Sequence, residues 1–318
     1  MTELPDRVEI AEEGPREGFQ IEPGPIATEA KIALIDALSA TGLRTIQVAS
    51  FVAPRLVPGW ADAEAVVGGF SPRAGIAYTA LWFNQAGLDR ALAFRDRLHL
   101  VGSISLSASE AFSRKNLNRD RAGQLAAMRR QTASHLAAGV PVSRLLVMAA
   151  FGCNYAGDIA PATVLATIAD GLAIAAEAGA APRDLSLADT MGWATPARIE
   201  RLIGAVRDRW PELRLSLHLH DTRGLGIANA HAGLRLGVAR FDSAVGGLGG
   251  CPFAGQPGAP GNIATEELVF LCDELGIGTG VDLAALIEAG RLAERIVGHR
   301  LPSTLLRSGA LAPLRRAA

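Results

Sequence analysis

The sequence predicts an α/β protein: a (β/α)8 TIM barrel with an extra C-terminal helix. Three observations carry this. Apolar, β-rich runs alternate with helical patterns along the chain, eight such pairs can be counted, and 318 residues is an ordinary length for one large α/β domain. The competing architecture is an open doubly wound sheet, whose nucleotide-binding turn reads G-x-G-x-x-G after the first strand. Here that turn is "EEGPREGFQ", which does not match. No shift in composition marks a boundary, so 1–318 reads as one domain, with the barrel over about 7–275 and the added helix over about 281–298.

The strands fall at "RVEIA" (7–11), "LRTIQVAS" (43–50), "GIAYTALW" (75–82) and "LHLVGSIS" (98–105). They continue at "VSRLLVMA" (142–149), "RDLSLA" (183–188), "LRLSLHL" (213–219) and "RFDSAV" (240–245). Between them, "ATEAKIALIDALSAT", "AGQLAAMRRQTASHLAAG", "APATVLATIADGLAIAAEAG" and "TPARIERLIGAVRDRW" repeat apolar residues every three or four positions, and several follow Ser, Thr or Pro, as helix starts do. The amphipathic "VDLAALIEAGRLAERIVGHR" supplies the added helix, and exposed helix faces leave room for a homodimer.

Composition narrows the function. A formal net charge of -1 gives no footprint for nucleic acid or an acidic membrane. No uninterrupted apolar run reaches the length of a membrane span, and the N-terminus lacks a signal-peptide pattern. Three cysteines, Cys153, Cys251 and Cys272, make no disulfide framework, so a reducing cytoplasm is expected. The only lysines are Lys31, within a helical pattern, and Lys115, in a polar loop; neither lies in an apolar run that would lower its pKa, which argues against a Schiff-base aldolase.

In a barrel of this kind chemistry gathers at the C-terminal strand ends. The first strand delivers Arg16, Glu17 and Gln20, the second Gln47 and Ser50, the fifth Arg144, the sixth Asp189 and Thr190. The seventh ends in "HLHDTRG". Side chains alternate along a strand, so His218 and His220 share a face, either as half of a divalent-metal site or as a hydrogen-bonded polar pair. Glu17 is an available carboxylate and Asn262 an available amide oxygen. The Gly- and Pro-rich stretch 246–261, which carries Cys251, suits a loop that closes over the barrel mouth.

Five motifs in order, "GPREGFQIE", "SFVAPRLVP", "FSRKNLN", "HLHDTRGLGIAN" and "GGLGGCPF…GNIATEELV", resemble the 3-hydroxy-3-methylglutaryl-CoA lyase family, metal-dependent TIM-barrel enzymes, from about residue 7 to about residue 295. The resemblance implies cleavage of a 3-hydroxy-3-methylglutaryl-CoA-like thioester to acetyl-CoA and a β-keto acid. It implies Mg2+ or Mn2+ held by Glu17, His218, His220 and Asn262. Arg16, Asp189, Cys251 and His218 would form the catalytic group: Arg16 at the developing enolate, Asp189 at the substrate hydroxyl, Cys251 in proton transfer. Gln20, Gln47, Asn116 and Thr190 would face the substrate; Arg144 and Arg223 would bind a carboxylate or CoA phosphates there or else be structural arginines, and Asn118 would serve as a polar contact or a loop cap.

Several positions depart from the family. Glu17 stands where Asp is usual, and Gln47 where the second strand usually ends in Glu. Arg223 replaces a common Tyr, and the loop between Cys251 and Asn262 is about two residues longer. These changes motivate two alternatives: a lyase for a related 3-hydroxyacyl-CoA such as a citramalyl-type thioester, or a weakened barrel that binds a ligand without turning it over.

Overall fold

The computed structural model describes residues 4–250, 254–255 and 259–311. All eight strands form, at Glu9–Glu12 (β1), Thr45–Ser50 (β2), Ala77–Leu81 (β3), Gly102–Ser107 (β4), Val142–Met148 (β5), Asp184–Ala188 (β6), Arg214–His218 (β7) and Arg240–Ser243 (β8). They are parallel and ordered β3-β2-β1-β8-β7-β6-β5-β4, with helices between them, so the sheet curls into the expected barrel architecture. One seam has no ladder, between β3 and β4. There the backbone N–H of His99 donates to the carbonyl of Tyr78 across the gap. That geometry moves β4 along the chain: the predicted 98–105 begins early, because its first residues span the seam before the β5 ladder starts at Gly102.

Period-two alternation sets the two faces of the sheet. Ile46, Val48, Leu145, Val147, Leu185, Leu187, Leu215, Leu217 and Phe241 are buried in the main hydrophobic core. Their alternates, among them Gln47, Arg144, Ser186, His218 and Asp242, are polar. The expected helices appear at Thr28–Ser39, Arg121–Ala137, Pro161–Glu177, Pro196–Arg209 and, for the added C-terminal helix, Leu283–Val297. Lys115 differs from the expectation. It lies in the helix Glu110–Leu117, which Ser109 caps at its start and Asn118, at φ 51°, ends in the left-handed conformation. Lys31 is buried on the helix Thr28–Ser39, and its Nζ donates to the Gly59 carbonyl and to Asp62 Oδ1, both at 2.6 Å. Among the described residues no helix is long and apolar enough to cross a membrane.

Candidate metal centre

The ends of β1, β7 and β8 build the site, and backbone register explains why. β1 runs directly into Gly14–Gly18, a turn of π-helix, a form found often at functional sites. Gly14 is required there: a Cβ would lie 2.6 Å from Glu12 Oε1 and 2.9 Å from Val245 Cγ1. Glu12 anchors the turn by accepting the N–H groups of Gly14 (2.7 Å) and Val245 (2.8 Å) and the Thr265 hydroxyl (2.6 Å). Burial pushes its carboxyl up to about 7. The Trp60 indole N–H donates to the Arg16 carbonyl at 2.9 Å and fixes the far side. Asn262 arrives from beyond the glycine-rich loop, because residues around it add to the tops of β7 and β8: His220 pairs with Asn262, and the Ile263 N–H donates to the Leu219 carbonyl.

The result is a cluster of Glu17, His218 and His220 whose ligand atoms all lie within 4.8 Å of one another. The Nε2 atoms of the two histidines are 3.2 Å apart. Glu17 Oε1 accepts from Asn262 Nδ2 (3.0 Å) and from the Gly250 N–H (3.1 Å), and Oε2 lies 3.0 Å from Arg16 Nη2. Gly249, at φ +80°, permits this approach, since a Cβ there would meet Glu17 Cγ at 2.8 Å. Burial opposes the Glu17 charge, but Arg16, both histidines and Asn262 outweigh it and hold the carboxyl down at about 2. His218 is carried up to about 9: burial lowers it, and the hydrogen bond to Asp242 with the charges of Glu17 and Glu13 more than reverses that. His220 falls to about 4 through burial and the neighbouring His218.

A second group, Glu13, His218 and Asp242, also has converging ligand atoms. Its carboxylates are already taken by cations. Arg16 Nη2 sits 2.7 Å from Glu13 Oε2, and Arg144 Nη2 sits 2.5 Å from Asp242 Oδ2. Two guanidiniums face this group and only one faces Glu17, so it is the less suited of the two to a divalent ion. Asp242 Oδ2, 3.5 Å from His218 Nδ1, orients the imidazole whose Nε2 faces His220 Nε2, the arrangement commonly found around metal-bound histidines. Glu17, His218, His220 and Asn262 fit a divalent ion by chemistry: an ionised carboxylate, two imidazoles and an amide, buried and mutually close, with Arg16 against one oxygen of Glu17 and the other facing Asn262.

The other expected residues divide. Asp189 Oδ1 accepts from the N–H groups of Trp193 (2.6 Å) and Ala194 (3.0 Å), while Oδ2 is buried with no protein partner, and burial raises the carboxyl to about 6. Gln20 Oε1 is likewise buried and unpartnered. Gln47 Oε1 accepts from Arg16 Nε. Arg144 is engaged by Asp242 and by Ser186 Oγ at 3.0 Å. Thr190 Oγ1 accepts from the Ala149 N–H. Arg223 donates to the carbonyls of Met191 (2.7 Å) and Gly192 (3.0 Å). Asn116 is exposed on its helix, and Cys251 lies outside the described residues. Ala254, on the described part of the glycine-rich loop, accepts from Asn154 Nδ2 at 2.9 Å, so the loop reaches from β8 toward the end of β5. Sequence reasoning passed over Glu12, Glu13 and Asp242. Glu13 continues the alternation Glu9, Ala11, and Asp242 is the register partner of both Ala11 and His218.

Fold and site together fit a class: barrel enzymes with candidate divalent-metal ligands at the strand ends. Residues 7–293 match the HMGL-like family, and the chain belongs to that family of lyases. It is 39% identical over 304 residues to a hydroxymethylglutaryl-CoA lyase of Bacillus subtilis, covering 94% of this chain and 96% of that one. It is 40% identical over 298 residues, 93% of this chain and 94% of the other, to a 3-hydroxy-3-isohexenylglutaryl-CoA/hydroxymethylglutaryl-CoA lyase of Pseudomonas aeruginosa. A crystal structure of an Acinetobacter baumannii HMG-CoA lyase in complex with coenzyme A and 3-methylmalate superposes with TM-score 0.86 at 36% identity, covering 98% of each chain.

Proposed function

We propose that the protein cleaves 3-hydroxy-3-methylglutaryl-CoA to acetyl-CoA and acetoacetate, with Glu17, His218, His220 and Asn262 holding a Mg2+ or Mn2+ ion. The convergence of a carboxylate and two histidines beside a buried arginine carries the reading. A bound divalent ion supplies Lewis acidity that makes the tertiary hydroxyl easier to deprotonate. The absence of a thiolate from this donor set suits a hard or borderline ion.

The remaining steps belong to the chain. Asp189, with Oδ2 free and a carboxyl raised to about 6, accepts the hydroxyl proton near neutral pH. The oxygen's electron pair becomes the ketone of acetoacetate as the bond between C2 and C3 breaks. The electrons of that bond pass into the acetyl thioester enolate. Arg16, permanently charged and fixed by Glu13 and Gln47, offers donors to the enolate oxygen without reorganising. The Cys251 thiol gives its proton to the enolate carbon, completing acetyl-CoA. The buried, reduced Cys153 and Cys272 suit a cytoplasmic setting.

Purified protein given the thioester and Mn2+ should release acetyl-CoA and acetoacetate in equal amounts, and a chelator should stop it. Folded protein that binds Mn2+ but releases neither product contradicts the proposal. A second reading is favoured by the Pseudomonas relative, whose name includes a longer 3-substituent. Comparing kcat/KM for the methyl, isohexenyl and citramalyl thioesters decides between them: the methyl substrate should give the highest value, and a tenfold or greater preference for another moves the assignment to it.

A further inference from the structure

Arg16 is buried against two carboxylates, Glu13 and Glu17, and one of them is needed elsewhere. Its Nη2 lies 2.7 Å from Glu13 Oε2 and 3.0 Å from Glu17 Oε2. Glu17 also faces His218 and His220 as a candidate metal ligand. On the other edge of the guanidinium stands Gln47, which accepts from Nε and brings no charge. We propose that Glu13 is a positioning residue that neutralises and aims Arg16, so that Glu17 is left to the metal ion.

The backbone presets Glu13 for this task. Its N–H donates to the Ser243 carbonyl and its own carbonyl accepts from the Glu17 N–H, both at 2.8 Å. Its side chain is almost wholly withdrawn from water, so its charge is poorly screened. The other nearby carboxylate, Asp242, is committed to Arg144 and His218. Without Glu13, the nearest negative charge to Arg16 is Glu17, and an unpaired buried guanidinium would draw that carboxylate away from the histidines. A carboxylate at position 47 would meet Arg16 from the opposite edge and do the same work, whereas one added while Glu13 is present places three acids around one guanidinium.

The inference rests on the metal and Arg16 roles given above, and two readouts separate the two claims. Mn2+ affinity and steady-state kinetics are measured for wild type, Glu13→Val, Gln47→Glu and the double variant, with thermal melts to confirm folding. Glu13→Val should weaken Mn2+ binding about 10-fold and lower kcat about 30-fold or more, with KM changed much less. Gln47→Glu alone should lower kcat about 10-fold. The double variant should return both quantities to within about 5-fold of wild type, so the same substitution harms in one background and rescues in the other. If Glu13→Val does not fold, the near-isosteric Glu13→Gln carries the same comparison. Losses that simply add, or Mn2+ binding untouched by loss of Glu13, overturn the proposal. A wild type that binds Mn2+ without cleaving the thioester sinks the substrate assignment, while the Mn2+ affinities still decide the role of Glu13.

Discussion

His218 and His135 are imidazoles withdrawn from water on opposite sides of the barrel, and they are driven in opposite directions. His135 lies on the helix Arg121–Ala137 and is 1% exposed. Its ring packs over Gly102 at the start of β4, and its Nε2 accepts from the Trp82 indole at 2.8 Å, so the pair plugs the seam where β3 and β4 have no ladder. No carboxylate offsets its burial, and it falls to about 4. At His218 burial acts in the same sense, but three carboxylates win and carry it to about 9. Burial is common to both, so the neighbours decide. A lone imidazole closes a gap as a neutral, apolar-faced side chain, whereas one ringed by acids is held charged, and a metal ion would take the place of its proton.

Substitutions should separate the two sides. The largest effect belongs to Glu17→Ala, which should cut kcat/KM by about 1000-fold or more and abolish measurable Mn2+ binding in calorimetry, while the fold survives by circular dichroism. Asp242→Asn should follow, with Mn2+ affinity lower by about 10- to 100-fold because His218 loses its orienting partner. On the seam side the readout is stability alone. The folded pKa of His135 is depressed below that of the unfolded chain, so the unfolded state takes up the extra proton as pH falls. Its contribution is complete above about pH 6.5 and is lost on the way down to about 4, on the order of 2–3 kcal/mol. His135→Gln keeps an acceptor for Trp82 and should flatten urea midpoints across that window, with kcat at pH 7.5 unchanged. Smallest is Asp184→Asn at the other end of the barrel, where Asp184 pairs with Arg214 (2.9 Å) and Arg240 (2.5 Å) nearer to solvent. It should cost no more than about 1 kcal/mol by chemical denaturation and leave activity intact. Activity loss there would break the distinction between the two ends.

The contrast also explains what could be read in the sequence. The eight strands and the main helices were legible because period two and period 3.6 are local properties. The pair His218 and His220 was legible for the same reason, and Glu17 because "PREG" follows a strand. The start of β4 was not legible, since "LHLV" is as apolar as a strand but spends its backbone crossing the seam. Nor were the partners of the site. Asp242 matters because β8 is registered so that it faces His218, and Glu13 because the π-turn brings it back to Arg16. Register and turn geometry are set by packing between segments more than 200 residues apart in the chain, as between β1 and β8. Nor was the partner of Arg144 legible: its guanidinium meets Asp242 across the barrel interior.

The most direct measurement is anomalous diffraction from crystals grown with Mn2+. The account predicts one peak within bonding distance of a Glu17 oxygen and the Nε2 atoms of His218 and His220. A peak seated instead between Glu13 and Asp242, or none at all in crystals of active protein, would contradict it.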